Sequence, residues 1–273
     1  MTLETRGMDL MAPVLADRRT VDLNCDLGES YGAWTLGGAD GDEAMLQVVT
    51  SANVACGFHA GDPRTLQRTV AAAVDAGVVV GAQVSYPDLV GFGRRTMDVA
   101  HDDLVADVLY QLGALEAFCR VVGSRVGYVK PHGALYNRVV DDETQAAAVA
   151  EAVCRYDPAM PLLTLPGSAL ALAAAAVGLP VVGEGFADRA YTARGRLASR
   201  REPGSVISDE GEVTARAVGM ANGAVTAQTG EELTVSLGSI CLHSDTPGAA
   251  GLARAVRAAL EGEGWTISAF AGS

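Results

Sequence analysis

Short runs of β-forming residues alternate with longer helical patterns along almost the whole chain, and this alternation limits the folds that the chain can adopt. The predicted strands span residues 21–25, 52–55, 78–83, 127–129, 162–165, 181–184 and 239–242. The predicted helices span residues 42–49, 63–76, 102–122, 143–155, 168–177, 210–222 and 246–261. Strand–helix alternation of this kind builds a parallel sheet that is covered by helices.

Seven such units follow one another without a break in composition, which favours a single closed or nearly closed β/α barrel. An open doubly wound sheet is the competing architecture. Its usual phosphate-binding signatures are missing, because no Gly-x-Gly-x-x-Gly follows the first strand and no Gly-x-x-x-x-Gly-Lys-Ser/Thr occurs anywhere. The sequence therefore predicts the barrel.

The chain is acidic, with a formal net charge of -13 that arises from 33 Asp and Glu against 20 Lys and Arg. No predicted helix carries a basic stripe, so we expect no nucleic-acid partner. The five cysteines form no Cys-x-x-Cys pair and fit neither a disulfide framework nor a thiolate zinc site. The sequence shows neither a signal peptide nor an apolar run of membrane-spanning length, so we expect a cytoplasmic protein with no membrane contact.

Lys130 is the single lysine among the 20 basic residues, and it lies in the stretch Val129-Lys-Pro-His-Gly133. Lysine offers a compact ammonium group on a flexible stem, and its pKa responds to burial, unlike that of arginine. A chain that otherwise uses arginine for positive charge has little use for a surface lysine. We therefore expect Lys130 in the active site.

Polar residues recur at every second position of the first strand, so Asp22, Asn24 and Asp26 share one face. Buried parallel strands are normally apolar on both faces, and this pattern therefore indicates a polar barrel interior. Further polar residues lie in other predicted strands or in the loops that follow them: Asn53, His59, Gln83, Lys130, His132, Glu184, Asp188 and His243. Because β/α barrels gather catalytic residues at the carboxyl ends of their strands, we expect one shared site.

An anion is the expected ligand of this end of the barrel. Glycines near His59 allow close backbone approach, and the helix that begins at Asp62-Pro63 offers free N–H groups. Arg94 and Arg189, in the loops after the third and sixth strands, are suited to hold a carboxylate or phosphate by paired hydrogen bonds.

Six motifs of this chain together resemble the LamB/YcsF family. They are residues 21–29 (VDLNCDLGE), 51–62 (SANVACGFHAGD), 85–88 (SYPD) with 91–94 (GFGR), 129–137 (VKPHGALYN), 186–189 (FADR) and 241–245 (CLHSD). Motifs this long, in this order, are specific. The resemblance leaves residues 1–19 as an N-terminal extension and residues 20–273 as one barrel domain.

The resemblance implies a variant, TIM-like, seven-stranded parallel β/α barrel similar to glycoside hydrolases and polysaccharide deacetylases. It also implies hydrolysis of 5-oxo-L-proline to L-glutamate, coupled to hydrolysis of ATP to ADP and phosphate. Two further subunits, B and C, are implied as partners. We expect ATP to bind with Mg through those subunits, and we expect no tightly bound metal in this chain.

Opening a five-membered lactam needs a base to activate water, a cation for the developing negative charge, and a proton for the leaving nitrogen. We assign the base to Asp26 or His59, the cation to Lys130, and the acid or second base to His132. The residues expected to bind substrate are Asp22, Asn24, Asn53, Gln83, Arg94, Glu184, Asp188, Arg189 and His243.

The chain departs from the family at the end of the third strand. Many relatives read Gly-Ala-His-Pro-Ser where residues 81–85 of this chain read GAQVS. Glutamine in place of histidine weakens any metal site built on that strand, and the role of Gln83 stays open.

Two other functions stay open. A metal-dependent, deacetylase-like hydrolase would use Asp22 or Asp26 as a ligand together with His59, His132 and His243. A non-catalytic scaffold would bind the lactam on behalf of partner subunits. Metal analysis separates the first from the lactam hydrolase, and the effect of removing Lys130 on turnover separates the second.

Overall fold

The structure of the chain, a computed structural model, describes residues 19–35, 41–244 and 248–272. The predicted N-terminal extension lies outside the described residues except for Arg19, and so do the first residues of the predicted helix 246–261. Within the described ranges every predicted strand and helix is present, with ends shifted by a few residues.

The strands and helices are defined here in chain order. The strands are β1 (Thr20–Leu27), β2 (Ser51–Ala55), β3 (Val79–Val84), β4 (Tyr128–Pro131), β5 (Leu162–Thr164), β6 (Val181–Phe186), β7 (Ala224–Thr226), β8 (Glu232–Thr234), β9 (Ser239–Cys241) and β10 (Thr266–Ile267). The helices are α1 (Gly41–Leu46), α2 (Pro63–Asp75), α3 (His101–Val121), α4 (Gly133–Arg138), α5 (Glu143–Tyr156), α6 (Ala169–Ala176), α7 (Glu210–Ala221) and α8 (Ala249–Gly262).

Strands β1 to β6 and β9 form a closed parallel barrel of seven strands. The first six pair in sequence order, and β9 then pairs with β6 on one side and with β1 on the other. This closure confirms the predicted β/α barrel and excludes the open doubly wound sheet. Three elements were not predicted: the short helix α4, the antiparallel hairpin of β7 and β8, and β10, which extends the sheet next to β1.

Helices α2, α5, α6 and α7 begin at capping side chains. Asp62, Asp142, Ser168 and Asp209 each accept hydrogen bonds from backbone N–H groups in the first turn of the following helix. Such caps satisfy donors that a helix leaves unpaired, and Pro63 adds a fixed φ at the first position of α2.

None of the helices in the described ranges combines the length and the apolar character that crossing a bilayer requires.

The barrel interior is apolar at the amino ends of the strands and polar towards their carboxyl ends. The ring of Tyr128 packs against Phe270, with 4.9 Å between centroids, in a small apolar cluster that fills the amino end. Above this cluster, β1 carries Asp22, Asn24 and Asp26, all buried. The residues between them pack in the large apolar core between the barrel and its helices, so the alternation seen in the sequence separates the two regions.

Gly81 makes room for the ring of Tyr128. A Cβ atom on Gly81 would lie 2.2 Å from Tyr128 Cζ, far inside contact distance. The hydroxyl of Tyr128 donates to Asn53 Oδ1 at 2.5 Å, so the position of the ring also sets the position of a site residue. This close approach connects the apolar plug to the polar site above it.

Gly81→Ala is therefore expected to lower the free energy of unfolding by about 2 kcal/mol, the usual scale of overpacking in a core. Gly113→Ala is the matched control, because Gly113 lies in the exposed middle of α3, where an added Cβ would have no neighbouring atom within 4 Å. That control should raise stability by about 0.5–1 kcal/mol through helix propensity. Denaturant titration measures both, and equal effects of the two substitutions would contradict the packing argument.

Candidate functional site

Three of the four histidines and the single lysine lie at the carboxyl ends of the barrel strands or in the loops that follow them. The fourth histidine, His101, begins α3, where its Nδ1 atom lies 3.2 Å from Asp102 Oδ1. The carboxyl end of the barrel is thus the place where the predicted site residues meet. Its geometry is built around two groups, a lysine cluster and a pair of histidines.

The ammonium group of Lys130 lies inside the barrel. Its Nζ atom is 2.7 Å from Glu184 Oε1 and 3.3 Å from Asp26 Oδ1. It also donates to Asn24 Oδ1 at 3.1 Å and lies 3.2 Å from Cys241 Sγ. Lys130 therefore connects its own strand, β4, to β1, β6 and β9.

This lysine cluster has one cation for two carboxylates. Burial alone would lower the pKa of Lys130, but Asp26, Cys241 and Glu184 hold it well above its usual value. Burial would raise the pKa of Asp26, and Lys130 is the main neighbour that holds it below the usual range. Burial prevails at Glu184, whose pKa is raised even beside Lys130. At neutral pH the cluster thus presents a fixed ammonium next to the ionised carboxylate of Asp26.

Two asparagines hold Asp26 in place. Asn53 Nδ2 donates to Asp26 Oδ1 and to Asn24 Oδ1, both at 2.8 Å. Asn24 Nδ2 donates in turn to Ser239 Oγ at 2.7 Å, and Asn53 Oδ1 accepts from Tyr128. Because both ends of each amide have partners, neither side chain is free to turn over.

Asp22 lies deeper in the barrel, about 13 Å below Asp26 along β1 from the rise of a strand. It accepts hydrogen bonds from Thr50 Oγ1 and Ser51 Oγ, both at 2.6 Å, and from the hydroxyl of Ser239. Burial raises the pKa of Asp22 to about 6, although these hydrogen bonds oppose the shift. The contact between Asp22 and substrate stays a prediction.

His59 and His132 form a stacked pair with 4.4 Å between ring centroids. His59 Nε2 lies 3.0 Å from Gln83 Oε1, and Gln83 Nε2 donates to Glu29 Oε1 at 3.0 Å. The same Glu29 oxygen lies 3.6 Å from His132 Nε2. Burial lowers the pKa of His59 to about 4 and that of His132 well below its usual value, so both rings are neutral at pH 7.

Phe92 packs beside the histidine pair. Its φ of 54° lies in the left-handed region, which is uncommon for an aromatic residue. The ring centroid of Phe92 is 6.0 Å from that of His59 and 5.4 Å from that of His132. A Cβ on the neighbouring Gly93 would lie 3.0 Å from His59 Cβ. Arg94 lies at the exposed rim, with its guanidinium carbon 4.9 Å from the centroid of the Phe92 ring.

His243 is oriented by a carboxylate. Its Nδ1 atom lies 2.7 Å from Asp188 Oδ2, and its backbone N–H donates to the same oxygen at 3.3 Å. Burial would raise the pKa of Asp188, but His243 holds it below the usual range. The ring also stacks on Phe186, with 5.9 Å between centroids. A carboxylate on Nδ1 assigns the proton to that nitrogen and leaves Nε2 to exchange protons.

The buried guanidinium of Arg189 holds the loop after β6. Its Nε donates to the carbonyl of Ser205 at 3.2 Å, and its Nη2 donates to the carbonyl of Ala198 at 2.6 Å. These two groups are therefore engaged within the chain, and a substrate contact of Arg189 stays a prediction. Arg94 is the predicted anion-binding arginine that lies at the rim.

Glu29 joins the site although it was not among the residues selected from the sequence. The alternation of β1 ends at Leu27, and Gly28 adopts a φ of 69° that turns the chain before Glu29. The alternation of side chains along β1 therefore does not predict where the Glu29 side chain points. The available signal was its place at the end of the motif formed by residues 21–29.

The ligand set suggested for a metal-dependent hydrolase is not assembled. Asp26 is bound to Lys130 and Asn53, and His243 is bound to Asp188. Within the described ranges, the carboxylate that accompanies the histidine pair is that of Glu29. The donor atoms of Glu29, His59 and His132 all lie within 4.8 Å of one another.

Comparison with known proteins places these residues in a family. The family model described as LamB/YcsF matches residues 21–273. A protein from Streptomyces avermitilis, named as the A subunit of 5-oxoprolinase, is 56% identical over 252 residues, which cover 92% of this chain and 100% of that protein. One of the same name from Mycolicibacterium paratuberculosis is 56% identical over 251 residues, covering 92% of this chain and 98% of that protein.

A solved structure agrees with this fold. The crystal structure of a lactam utilization protein from Thermus thermophilus superposes with a TM-score of 0.86 at 47% sequence identity. The alignment covers 92% of this chain and 100% of that one. The barrel fold is thus shared with an experimentally determined relative.

Asp22→Asn should change how stability depends on pH. Since its pKa is raised on folding, the folded chain binds this proton more tightly than the unfolded chain. The resulting stability is fully present below about pH 4 and is lost as the pH rises through about 6. The difference in unfolding free energy between the unmodified chain and the variant should therefore fall by about 3 kcal/mol between those two pH values, since each pKa unit is worth ~1.4 kcal/mol.

Denaturant titrations across this pH range measure the difference. Asp75→Asn is the control, because Asp75 is an exposed residue at the end of α2. A difference that stays constant with pH, or one that grows as the pH rises, would contradict the raised pKa of Asp22.

Proposed function

The chain belongs to the LamB/YcsF family, and from this membership we propose that it is the A subunit of a 5-oxoprolinase. In that role it takes part in the hydrolysis of 5-oxo-L-proline to L-glutamate, coupled to hydrolysis of ATP to ADP and phosphate. The observation that carries the proposal is the 56% identity to a 5-oxoprolinase chain of that name over the whole length of the relative.

Partner subunits belong to the same proposal. The word "subunit" in the names of the relatives supports assembly with further chains. We keep the predicted partners B and C, with ATP and Mg bound through them. ATP supplies the driving force by activating the lactam carbonyl. The steps left to this chain are to activate water, to stabilise negative charge and to protonate the ring nitrogen.

Asp26 is better placed as the base than His59. The Asp26 side chain is 10% exposed towards the mouth of the barrel and stays ionised beside Lys130. The His59 side chain is fully buried, and its Nε2 atom is engaged with Gln83. Asp26 therefore orients and deprotonates the attacking water, and Lys130 provides the fixed positive charge next to it.

His243 is the proton donor that the geometry favours. The Asp188 carboxylate holds the ring through its Nδ1 atom and leaves the Nε2 atom for proton transfer. His132, the acid expected from the sequence, has a pKa that burial holds well below its usual value. Its ring is therefore a neutral imidazole at neutral pH, which is a poor proton donor. We therefore propose His243 as the acid that protonates the departing nitrogen.

The proposal is tested by assembling the chain with its partner subunits and following glutamate release from 5-oxo-L-proline in the presence of ATP. Lys130→Arg should reduce turnover at least ~100-fold, the scale of one lost contact to a developing charge. Arginine keeps the charge but is larger and planar, so it does not fit between Asp26 and Glu184. Arg155→Lys, on the exposed face of α5, is the control and should leave turnover unchanged.

Two results would contradict these assignments separately. Absence of ATP-dependent glutamate release from the unmodified assembly would overturn the 5-oxoprolinase function. Normal turnover by a folded Lys130→Arg assembly would instead favour the non-catalytic scaffold, in which this chain only holds the lactam. Thermal unfolding of each variant separates loss of fold from loss of chemistry.

A further inference from the structure

We propose that Glu29, His59 and His132 form a binding site for one divalent transition-metal ion of the zinc class. This site is separate from the lysine cluster and does not depend on the lactamase proposal. It revises the expectation, drawn from the sequence, that the chain holds no tight metal. Donor geometry, unsatisfied buried nitrogens and charge each support it.

The spacing of the donor atoms fits ligands around one ion. All three lie within 4.8 Å of one another, and Glu29 Oε1 is 3.6 Å from His132 Nε2. That distance is too long for a hydrogen bond between nitrogen and oxygen. It is close to the ~3.4 Å that separates two ligands of a tetrahedral zinc ion, given metal–ligand bonds of ~2.0–2.1 Å.

Each histidine also has a buried nitrogen with no hydrogen-bond partner among the described residues, the Nδ1 atom. Both rings are buried, with 0% exposure for His59 and 6% for His132. Buried polar atoms are nearly always satisfied, and an exception points to a bound water or ion. Each ring therefore has one nitrogen, Nδ1, that the described residues leave unpaired, besides the Nε2 atom that faces Gln83 in His59 and Glu29 in His132.

Charge and protonation favour a dication at this place. Both imidazoles are buried at this place, and imidazole binds metals in its neutral form. The buried carboxylates of this end of the barrel include Asp26, Glu29 and Glu184, and the ammonium of Lys130 is bound to the first and the last. A positive ion beside Glu29 would be a counter-charge for that buried carboxylate.

Gln83 is the positioning residue of the site. Its amide lies between His59 Nε2 and Glu29 Oε1, at 3.0 Å from each. Amide and carboxylate partners of this kind orient ligands before a metal arrives. Phe92 contacts both rings by its edge, which further limits their rotation. The ligands are thus held in place by the fold.

The donor set indicates which ions fit. Two imidazoles and one carboxylate, without thiolate, suit Zn²⁺ and, among other ions, Co²⁺ or Fe²⁺, whereas Mg²⁺ prefers oxygen ligands alone. Three protein ligands leave a fourth position for water or for a substrate oxygen, as in zinc sites that do chemistry.

The test is calorimetric titration of the full chain, stripped with chelator, with Zn²⁺ or Co²⁺ as the probe. We expect one equivalent to bind. Glu29→Gln and His132→Asn should each weaken affinity at least ~10-fold, and Gln83→Ala should weaken it by ~10–100-fold as a positioning residue. His101→Gln is the matched histidine control and should bind as the unmodified chain does, because His101 lies at the start of α3.

A second measurement needs no substitution. In the NMR spectrum of the unmodified chain, Co²⁺ should shift the ring signals of His59 and His132 strongly and leave those of His101 in place. Failure of the unmodified chain to bind Zn²⁺ or Co²⁺, or equal binding by folded Glu29→Gln and His132→Asn variants, would overturn the site. So would cobalt shifts that spare both rings. None of these readouts depends on lactam turnover, so they fail independently of the proposed function.

Discussion

The burial of the Lys130 ammonium group inside the barrel is the constraint on which the rest of the structure depends. A buried charge is tolerated only with compensating partners, and removal of one partner typically costs ~3–5 kcal/mol. Asp26 and Glu184 supply those partners from β1 and β6, with Asn24 and Cys241 completing the shell. The interior of this barrel is therefore polar around Lys130, whereas the interior of β/α barrels is usually filled with branched aliphatic side chains.

Hydrogen bonds connect the partners of Lys130 to residues on the surrounding strands. Asp26 is held by Asn53, and Asn53 accepts from Tyr128, whose ring fits only because residue 81 is glycine. The apolar plug at the amino end and the reactive groups at the carboxyl end are thus parts of one packed column. A displacement of the apolar plug would also displace the site residues, because each amide in the column has a hydrogen-bond partner at both ends.

Much of this arrangement could be predicted from the sequence, because the alternation of side chains between the two faces of a strand depends only on neighbouring residues. The alternation of Asp22, Asn24 and Asp26 indicated the polar interior, and the single lysine indicated its centre. The alternation of side chains along the strand could not predict the direction of the Glu29 side chain, because Gly28 turns the chain after the strand ends. Pairings between distant segments were also out of reach. Examples are the bonds of Gln83 to Glu29 and of His243 to Asp188, which only the closed barrel brings together.

The most direct test of the buried ammonium uses the fact that the chain has one lysine. Labelling with ¹⁵N-lysine gives a single side-chain Nζ signal, which can be followed as the pH is raised. Lys130 is predicted to stay protonated well beyond the ~10.4 of a free lysine, since Asp26 and Glu184 hold its pKa well above its usual value. Titration of that signal at or below the ordinary value would contradict the ion cluster at the centre of the fold.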